Sequence, residues 1–156
     1  MNGNRRWLLP LLALLLPLTA SAELQRSEGE KAVLALRGAL EQGQFDVLQA
    51  LLSEQAPVHL QVQVGDQAPQ AFTLSGARFL QQLRALQRFA TRREWQFSRP
   101  TFSNGADGRL TVQIQVEESR TLFGTTDQQW DDLTLILARV DGQVRIVELH
   151  NQTRLP

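Results

Sequence analysis

The sequence predicts an α+β fold in which a curved antiparallel sheet wraps around three helices from the N-terminal half. Two observations predict it. Apolar residues recur at helical spacing in three segments before residue 91. Residues 58–64 and most of the chain after residue 94 instead alternate apolar and polar side chains, the pattern of half-buried strands. No internal repeat or low-complexity segment interrupts these patterns, so residues 23–156 are predicted to form a single domain.

The predicted helices have recognisable ends. The segment Ser27-Glu28-Gly29-Glu30 matches a capping box, in which the serine and the glutamate satisfy free amides at a helix start, and Gly43 ends that helix. A second, shorter helix is predicted over residues 45–52. Ser75 can cap the third helix. The apolar stripe of this third helix consists of Phe79, Leu80, Leu83, Leu86 and Ala90.

The strands follow from alternation and from turn residues. Pro100 predicts a kink because proline cannot donate a hydrogen bond to a neighbouring strand. Asp141-Gly142 is a strong indication of a two-residue hairpin turn. Strands are predicted over residues 58–64, 71–74, 94–102, 110–117, 130–140 and 144–152.

Residues 1–22 are predicted to be a cleavable signal peptide. Arg5 and Arg6 precede an apolar, leucine-rich run, and Ala20-Ser21-Ala22 supplies the small residues at which a signal peptidase cuts. The apolar run is shorter than the roughly 20 residues of a membrane span, and the chain has no cysteine for lipid attachment. We therefore expect cleavage near Ala22, a periplasmic protein and no stable membrane anchor.

The composition excludes several classes of function. Removing residues 1–22 leaves 14 basic and 16 acidic residues, a net charge of −2, which argues against nucleic-acid binding. Without cysteine the chain has no disulfide, no thiolate metal site and no cysteine nucleophile. The two histidines, His59 and His150, are too few for a histidine-rich site, and His59 is expected on the polar outer side of its strand. No cofactor and no metal are predicted.

The order of elements and the ending from Asp141 to Asn151 carry a family resemblance. This ending is similar to the recurrent close of the nuclear transport factor 2-like superfamily, in which a turn is followed by Trp, Arg or Lys, Ile, Val, His, any residue and His. Here Val144 replaces the tryptophan and Glu148 replaces the first histidine. The superfamily includes SnoaL-like cyclases, ketosteroid isomerase and the association domain of calmodulin-dependent kinase. The resemblance covers residues 25–153 and implies a cone-shaped fold. It also implies that the strands of the last hairpin line the interior of the cone.

The last hairpin predicts the candidate site. If Asp141 and Gly142 form the loop, strict alternation places Glu148 opposite Leu135 and His150 opposite Leu133, with Asp131 one diagonal away. An apolar floor with a few converging ionisable groups is typical of a small-molecule pocket. Asp131, Glu148 and His150 are therefore candidate catalytic residues. The alternative is a hydrogen-bonded trio at the solvated end of the sheet.

The opposite face of the same hairpin is also too apolar to be freely solvated. An antiparallel sheet with two apolar faces commonly has a partner on the second one. A homodimer through the sheet is therefore predicted. The residues of this face are Trp130, Asp132, Ile136, Ala138, Val147 and Leu149.

Three functions remain open at this point. The first is an exported module that binds a small apolar ligand or a protein partner without catalysis. The second is a SnoaL-like isomerase, cyclase or dehydratase, in which Glu148 or His150 moves a proton on a hydrophobic substrate and Asp131 orients it. The absence of tyrosine weakens this alternative because ketosteroid-isomerase-like chemistry commonly uses a tyrosine as oxyanion donor. The third is a structural envelope protein whose interior its own side chains fill.

Overall fold

The computed structural model describes residues 23–156 of the chain, so the predicted signal peptide lies outside the described residues. The three predicted helices are present, as α1 (Arg26–Gln42), α2 (Phe45–Leu51) and α3 (Gly76–Phe89). Helix α1 starts earlier than predicted. The carboxylate of Glu28, rather than that of Glu30, accepts the backbone N–H that precedes the helix, from Gln25 at 2.8 Å. Ser27 lies inside the first turn, whereas Ser75 caps α3 through the N–H of Arg78.

The strands form one curved, unclosed sheet in the order β2-β1-β7-β6-β5-β3, and β4 also pairs with β5. This confirms the predicted α+β class with a curved sheet around three helices. One strand pair differs from the prediction: β1 runs parallel to β7, so the sheet is mixed. The strands are β1 (Pro57–Val64), β2 (Gln70–Ser75), β3 (Arg92–Phe97), β4 (Thr101–Asn104), β5 (Leu110–Leu122), β6 (Thr125–Val140) and β7 (Gln143–Leu155).

The helices cover one face of the sheet, here called the interior face; the other is the outer face. Alternation along β5 buries Val112, Ile114 and Val116 on the interior face, where they join the buried leucines of the helices in one core. Helix α1 approaches the sheet closely at Gly29. A Cβ at this position would lie 2.7 Å from the ring of Phe102 and 2.9 Å from Leu110. The glycine therefore sets the spacing between α1 and β4–β5.

A β-bulge at Val147 changes the last hairpin. Near the turn the pairing is as predicted, with Leu137 opposite Ile146. Beyond it, Ile136 pairs with Glu148 rather than with Val147, so Val147 is the extra residue. Because side chains alternate with a period of two, one extra residue moves every later side chain of β7 to the other face. Leu149 therefore enters the core, where its exposed fraction is 1%.

Candidate functional site

The interior face changes from apolar to polar along the strands. Leu135, Leu149 and Val58 are aligned across three neighbouring strands and are fully buried. Farther from the Asp141-Gly142 turn, the side chains on the interior face are mostly polar. We call this region the polar end of the interior; its members are Arg93, Trp95, Glu118, Arg120, Gln129, Asp131, Asn151 and Thr153.

Asp131 is at the centre of this polar end and is almost fully buried. Its carboxylate accepts hydrogen bonds from Thr153 Oγ1 at 2.6 Å, Gln129 Nε2 at 2.7 Å and Asn151 Nδ2 at 3.0 Å. A carboxylate has about four acceptor positions, so three of them are occupied by neighbouring side chains. Asp131 is thereby fixed in place as a structural acceptor between β6 and β7.

A buried ion pair lies beside it. Glu118 is 2% exposed, and its carboxylate accepts from Arg93 Nε at 2.8 Å, while Arg120 Nη1 lies 3.6 Å away. Arg93 also donates to Gln87 Oε1 at 2.7 Å and places its guanidinium 4.5 Å from the centre of the Trp95 ring. These contacts join α3, β3 and β5 at one point.

Three polar atoms of this end are buried without a hydrogen-bond partner among the described residues. They are the indole Nε1 of Trp95, Nε of Arg120 and the amide oxygen Oδ1 of Asn151. A buried polar group without a partner costs about 1–3 kcal/mol, so few are left in a folded protein. Two donors and one acceptor at the same end of the interior therefore require an explanation.

The outer face carries a second cluster of ionisable groups, here called the histidine–glutamate cluster: His59, Glu148 and His150. His59 and His150 are direct partners on the parallel strands β1 and β7, and their rings stack with centroids 4.6 Å apart. Glu148 Oε1 lies 2.8 Å from His150 Nε2 and 3.3 Å from His59 Nε2. Thr73 Oγ1 lies 3.2 Å from Nδ1 of His59.

The predicted grouping of Asp131 with Glu148 and His150 is wrong. The bulge at Val147 moves Glu148 and His150 to the outer face, while Asp131 stays on the interior face opposite Thr153. Glu148 and His150 remain together, as predicted, because residues two apart on a strand share a face. Sequence reasoning placed His59 on the outer face but missed its contact with Glu148, since nothing in the sequence indicated that β1 pairs with β7.

An open groove runs along the outer face next to this cluster. Its volume is about 560 Å³, and His150 forms part of its wall. Most of the lining is polar and belongs to the outer face of β5, β6 and β7 or to the segment around Pro100. The principal lining residues are Ser98, Arg99, Thr101, Gln113, Gln115, Asp132, Thr134, His150 and Gln152.

No family model and no curated protein matches the sequence of the chain. Solved structures do match. A hexachlorocyclohexane dehydrochlorinase, LinA-type3, from Novosphingobium barchaimii has a TM-score of 0.62 at 11% identity, over 82% of this chain and 85% of that chain. An uncharacterised protein with a cystatin-like fold from Caulobacter vibrioides has a TM-score of 0.65 at 13% identity, over 82% and 88%.

A third structure is a protein from Rhodospirillum rubrum described as nuclear transport factor 2-like and of unknown function in nutrient uptake. Its TM-score is 0.54 at 17% identity, over 81% of this chain and 95% of that chain. The chain has the nuclear transport factor 2-like fold. This confirms the fold that the order of elements and the ending from Asp141 to Asn151 implied. Proteins with the nuclear transport factor 2-like fold include both enzymes and proteins of unknown function. The fold therefore does not distinguish an enzyme from a binding protein.

Within residues 23–156, no helix combines the length and the apolar character that a transmembrane span requires.

Proposed function

We propose that this protein is an exported, non-catalytic binding module that holds a small, largely apolar ligand at the polar end of the interior. The observation that carries the proposal is the set of three buried polar atoms without partners, on Trp95, Arg120 and Asn151. A ligand hydroxyl group could accept from either N–H donor or donate to the amide oxygen of Asn151, whereas a ligand carbonyl group could only accept. Either group would then recover part of the cost of burying these atoms.

Apolar side chains next to this end support a ligand with an apolar body. Leu60, Leu83, Trp95 and Phe97 are only partly buried and pack against the edge of the core. A small-molecule site typically combines such an apolar lining with a few fixed polar groups that orient the ligand. The polar end of the interior has both.

Two features favour binding over proton transfer. The interior carboxylates are already engaged, Asp131 by three neutral donors and Glu118 by two arginines. Glu148 and His150, the residues first predicted to move a proton, lie on the other face of the sheet. A SnoaL-like reaction with these two residues would therefore need its substrate in the outer groove.

The first test is native mass spectrometry of untagged protein released gently from the cell envelope. We expect a retained small molecule in the wild type. Trp95→Phe should lower its occupancy, because the substitution removes an N–H that has no protein partner and keeps an aromatic ring at the same position. Trp130→Phe on the outer face is the matched control and should keep the ligand. A wild type that retains no small molecule and does not bind the apolar fluorescent probe anilinonaphthalene sulfonate would instead favour a structural envelope protein.

Export is tested separately. The full chain, expressed in a Gram-negative host, should appear in the periplasmic fraction with Glu23 as its first residue. Leu14→Arg with Leu15→Arg interrupts the apolar run of the predicted signal and should retain the uncleaved chain in the cytoplasm. Cytoplasmic wild-type protein that still begins at Met1 would contradict the export proposal.

A further inference from the structure

We propose that His59, Glu148 and His150 form a binding site for a divalent transition-metal ion, with Zn²⁺ as the reference ion. This site is on the outer face and does not depend on the proposed ligand of the interior. Two imidazoles and one carboxylate converge there from two neighbouring strands, and one donor atom from each lies within 4.8 Å of the other two.

The distances are close to those of a metal centre. Zinc binds histidine nitrogen and carboxylate oxygen at about 2.0–2.2 Å, so two ligand atoms of a tetrahedral site are about 3.3–3.5 Å apart. Glu148 Oε1 lies 3.3 Å from one Nε2 atom and 2.8 Å from the other. Small side-chain rotations would therefore bring all three donors into one coordination sphere, and the ion would take the place of the hydrogen bond between His150 Nε2 and Glu148 Oε1.

The strands hold the donors in register. His59 and His150 are paired directly across β1 and β7, and Glu148 shares the outer face with His150. Thr73 on β2 adds a supporting contact, since its hydroxyl lies 3.2 Å from Nδ1 of His59. Such a contact fixes the ring orientation and leaves Nε2 as the ligand atom, the arrangement usually found around metal-bound histidines.

The donor set indicates the class of ion. Imidazole nitrogen suits zinc, nickel, copper and iron, whereas calcium and magnesium prefer oxygen ligands only. Three protein ligands leave at least one coordination position open. The cluster is also accessible, because the three side chains keep between 28% and 45% of their surface exposed. The outer groove, which His150 helps to line, adjoins the cluster and offers space for a water or ligand at that position.

The composition makes the proposal unusually easy to test. The chain has no cysteine, and His59 and His150 are its two histidines. Any metal bound through imidazole by an untagged protein therefore reports this cluster. A histidine tag must be absent from the preparation.

The experiment is calorimetric titration of untagged residues 23–156 with Zn²⁺, followed by Co²⁺ absorption spectroscopy. We expect one ion per chain with micromolar or tighter affinity. His59→Ala, His150→Ala and Glu148→Gln should each weaken binding about tenfold or more, and Thr73→Val about tenfold. Asp132→Asn is the matched control, because it removes a carboxylate from the same face and should leave the affinity unchanged.

A second measurement needs no variant. In the wild type, substoichiometric Cu²⁺ should broaden the imidazole C–H resonances of both histidines together. Three results would each overturn the proposal: no Zn²⁺ binding below millimolar concentrations, unchanged affinity in the double variant His59→Ala/His150→Ala, or Cu²⁺ binding that leaves both imidazoles sharp.

Discussion

His59 and His150 stack face to face on the outer surface of the sheet, with ring centroids 4.6 Å apart and an angle of 25° between the ring planes. The two residues are 91 positions apart in the sequence. They meet because β1 and β7 are parallel neighbours and pair in a register that sets these two residues side by side. Glu148 then reaches both rings from a position two residues before His150.

The bulge at Val147 can be tested by deletion. Removing Val147 deletes the extra residue, so strict alternation would keep Glu148 on the outer face opposite Ile136 and Leu149 in the core opposite Leu135. We expect this deletion to change the free energy of unfolding by less than about 1 kcal/mol in urea denaturation. Deleting Leu149 instead removes a buried leucine and moves a polar side chain to the position opposite Leu135, which should cost about 3 kcal/mol or more. Equal losses of stability in the two deletion variants would contradict the assignment of Val147 as the extra residue.

The buried ion pair of Glu118 gives a second prediction. Glu118→Gln leaves Arg93 and Arg120 charged, mostly buried and without their counter-ion, a change that typically costs about 3–5 kcal/mol. Glu41→Gln breaks the exposed pair with Arg37 on α1 and should cost less than about 0.5 kcal/mol. Thermal unfolding followed by circular dichroism compares the two. Similar melting temperatures for both variants would show that the Glu118 pair contributes little.

The hydrogen bonds of Asp131 give a third prediction. Asp131→Asn replaces one acceptor oxygen with an NH₂ group that faces existing donors. We expect the free energy of unfolding to fall by about 1–3 kcal/mol. Asp132→Asn is the adjacent control: its carboxylate is half exposed, with Arg154 at 3.4 Å, and the expected loss is below about 1 kcal/mol. Chemical denaturation measures both, and a loss at position 132 equal to that at 131 would refute the role given to Asp131.

Two glycines of α1 should respond to alanine with opposite signs. Gly29→Ala would press a methyl group into Phe102 and Leu110, and overpacking of this kind costs about 1–3 kcal/mol. At Gly38 the nearest atom is 3.4 Å away, at the end of the flexible Gln44 side chain. Gly38→Ala should therefore stabilise the protein by about 0.5–1 kcal/mol, since alanine favours the helix. The denaturation midpoints of the two variants are compared with that of the wild type. A higher midpoint for Gly29→Ala would contradict the close packing of α1 against Phe102 and Leu110.

The homodimer predicted from the sequence stays a prediction, and fewer residues now support it. Leu149 was predicted on the outer face but lies in the core, while Ile136 is half-buried near the middle of the outer face. We expect a dimer of residues 23–156 by light scattering after gel filtration, and a monomer for Ile136→Arg. Leu34→Arg, at an exposed apolar position on α1, should leave the dimer intact. Monomeric wild-type protein would rule out this interface.

Much of the fold could be read from local patterns. Helical spacing and Ser75 predicted α3, and Asp141-Gly142 predicted the last hairpin, because turn and cap preferences are properties of a few neighbouring residues. The order of elements and the ending from Asp141 to Asn151 together predicted the fold, although Val144 and Glu148 differ from the residues usual in that ending. Pro100 was predicted to kink one strand, and the structure ends β3 before it and begins β4 after it.

The candidate site could not be predicted in the same way. Strict alternation placed Glu148 opposite Leu135, because Val147 carries no local sign of a bulge. In the structure one extra residue at Val147 puts Leu149, rather than a carboxylate, in that buried position. The sequence by itself determined the helices, most strand positions and the pairing of Glu148 with His150 on one face, since these depend on residues close together in the chain. Only the tertiary structure decided that this face is the outer face, that Asp131 lies on the interior face, and that His59 completes the histidine–glutamate cluster. Those outcomes depend on strand pairing between distant segments and on which side chains the shared core has room to bury.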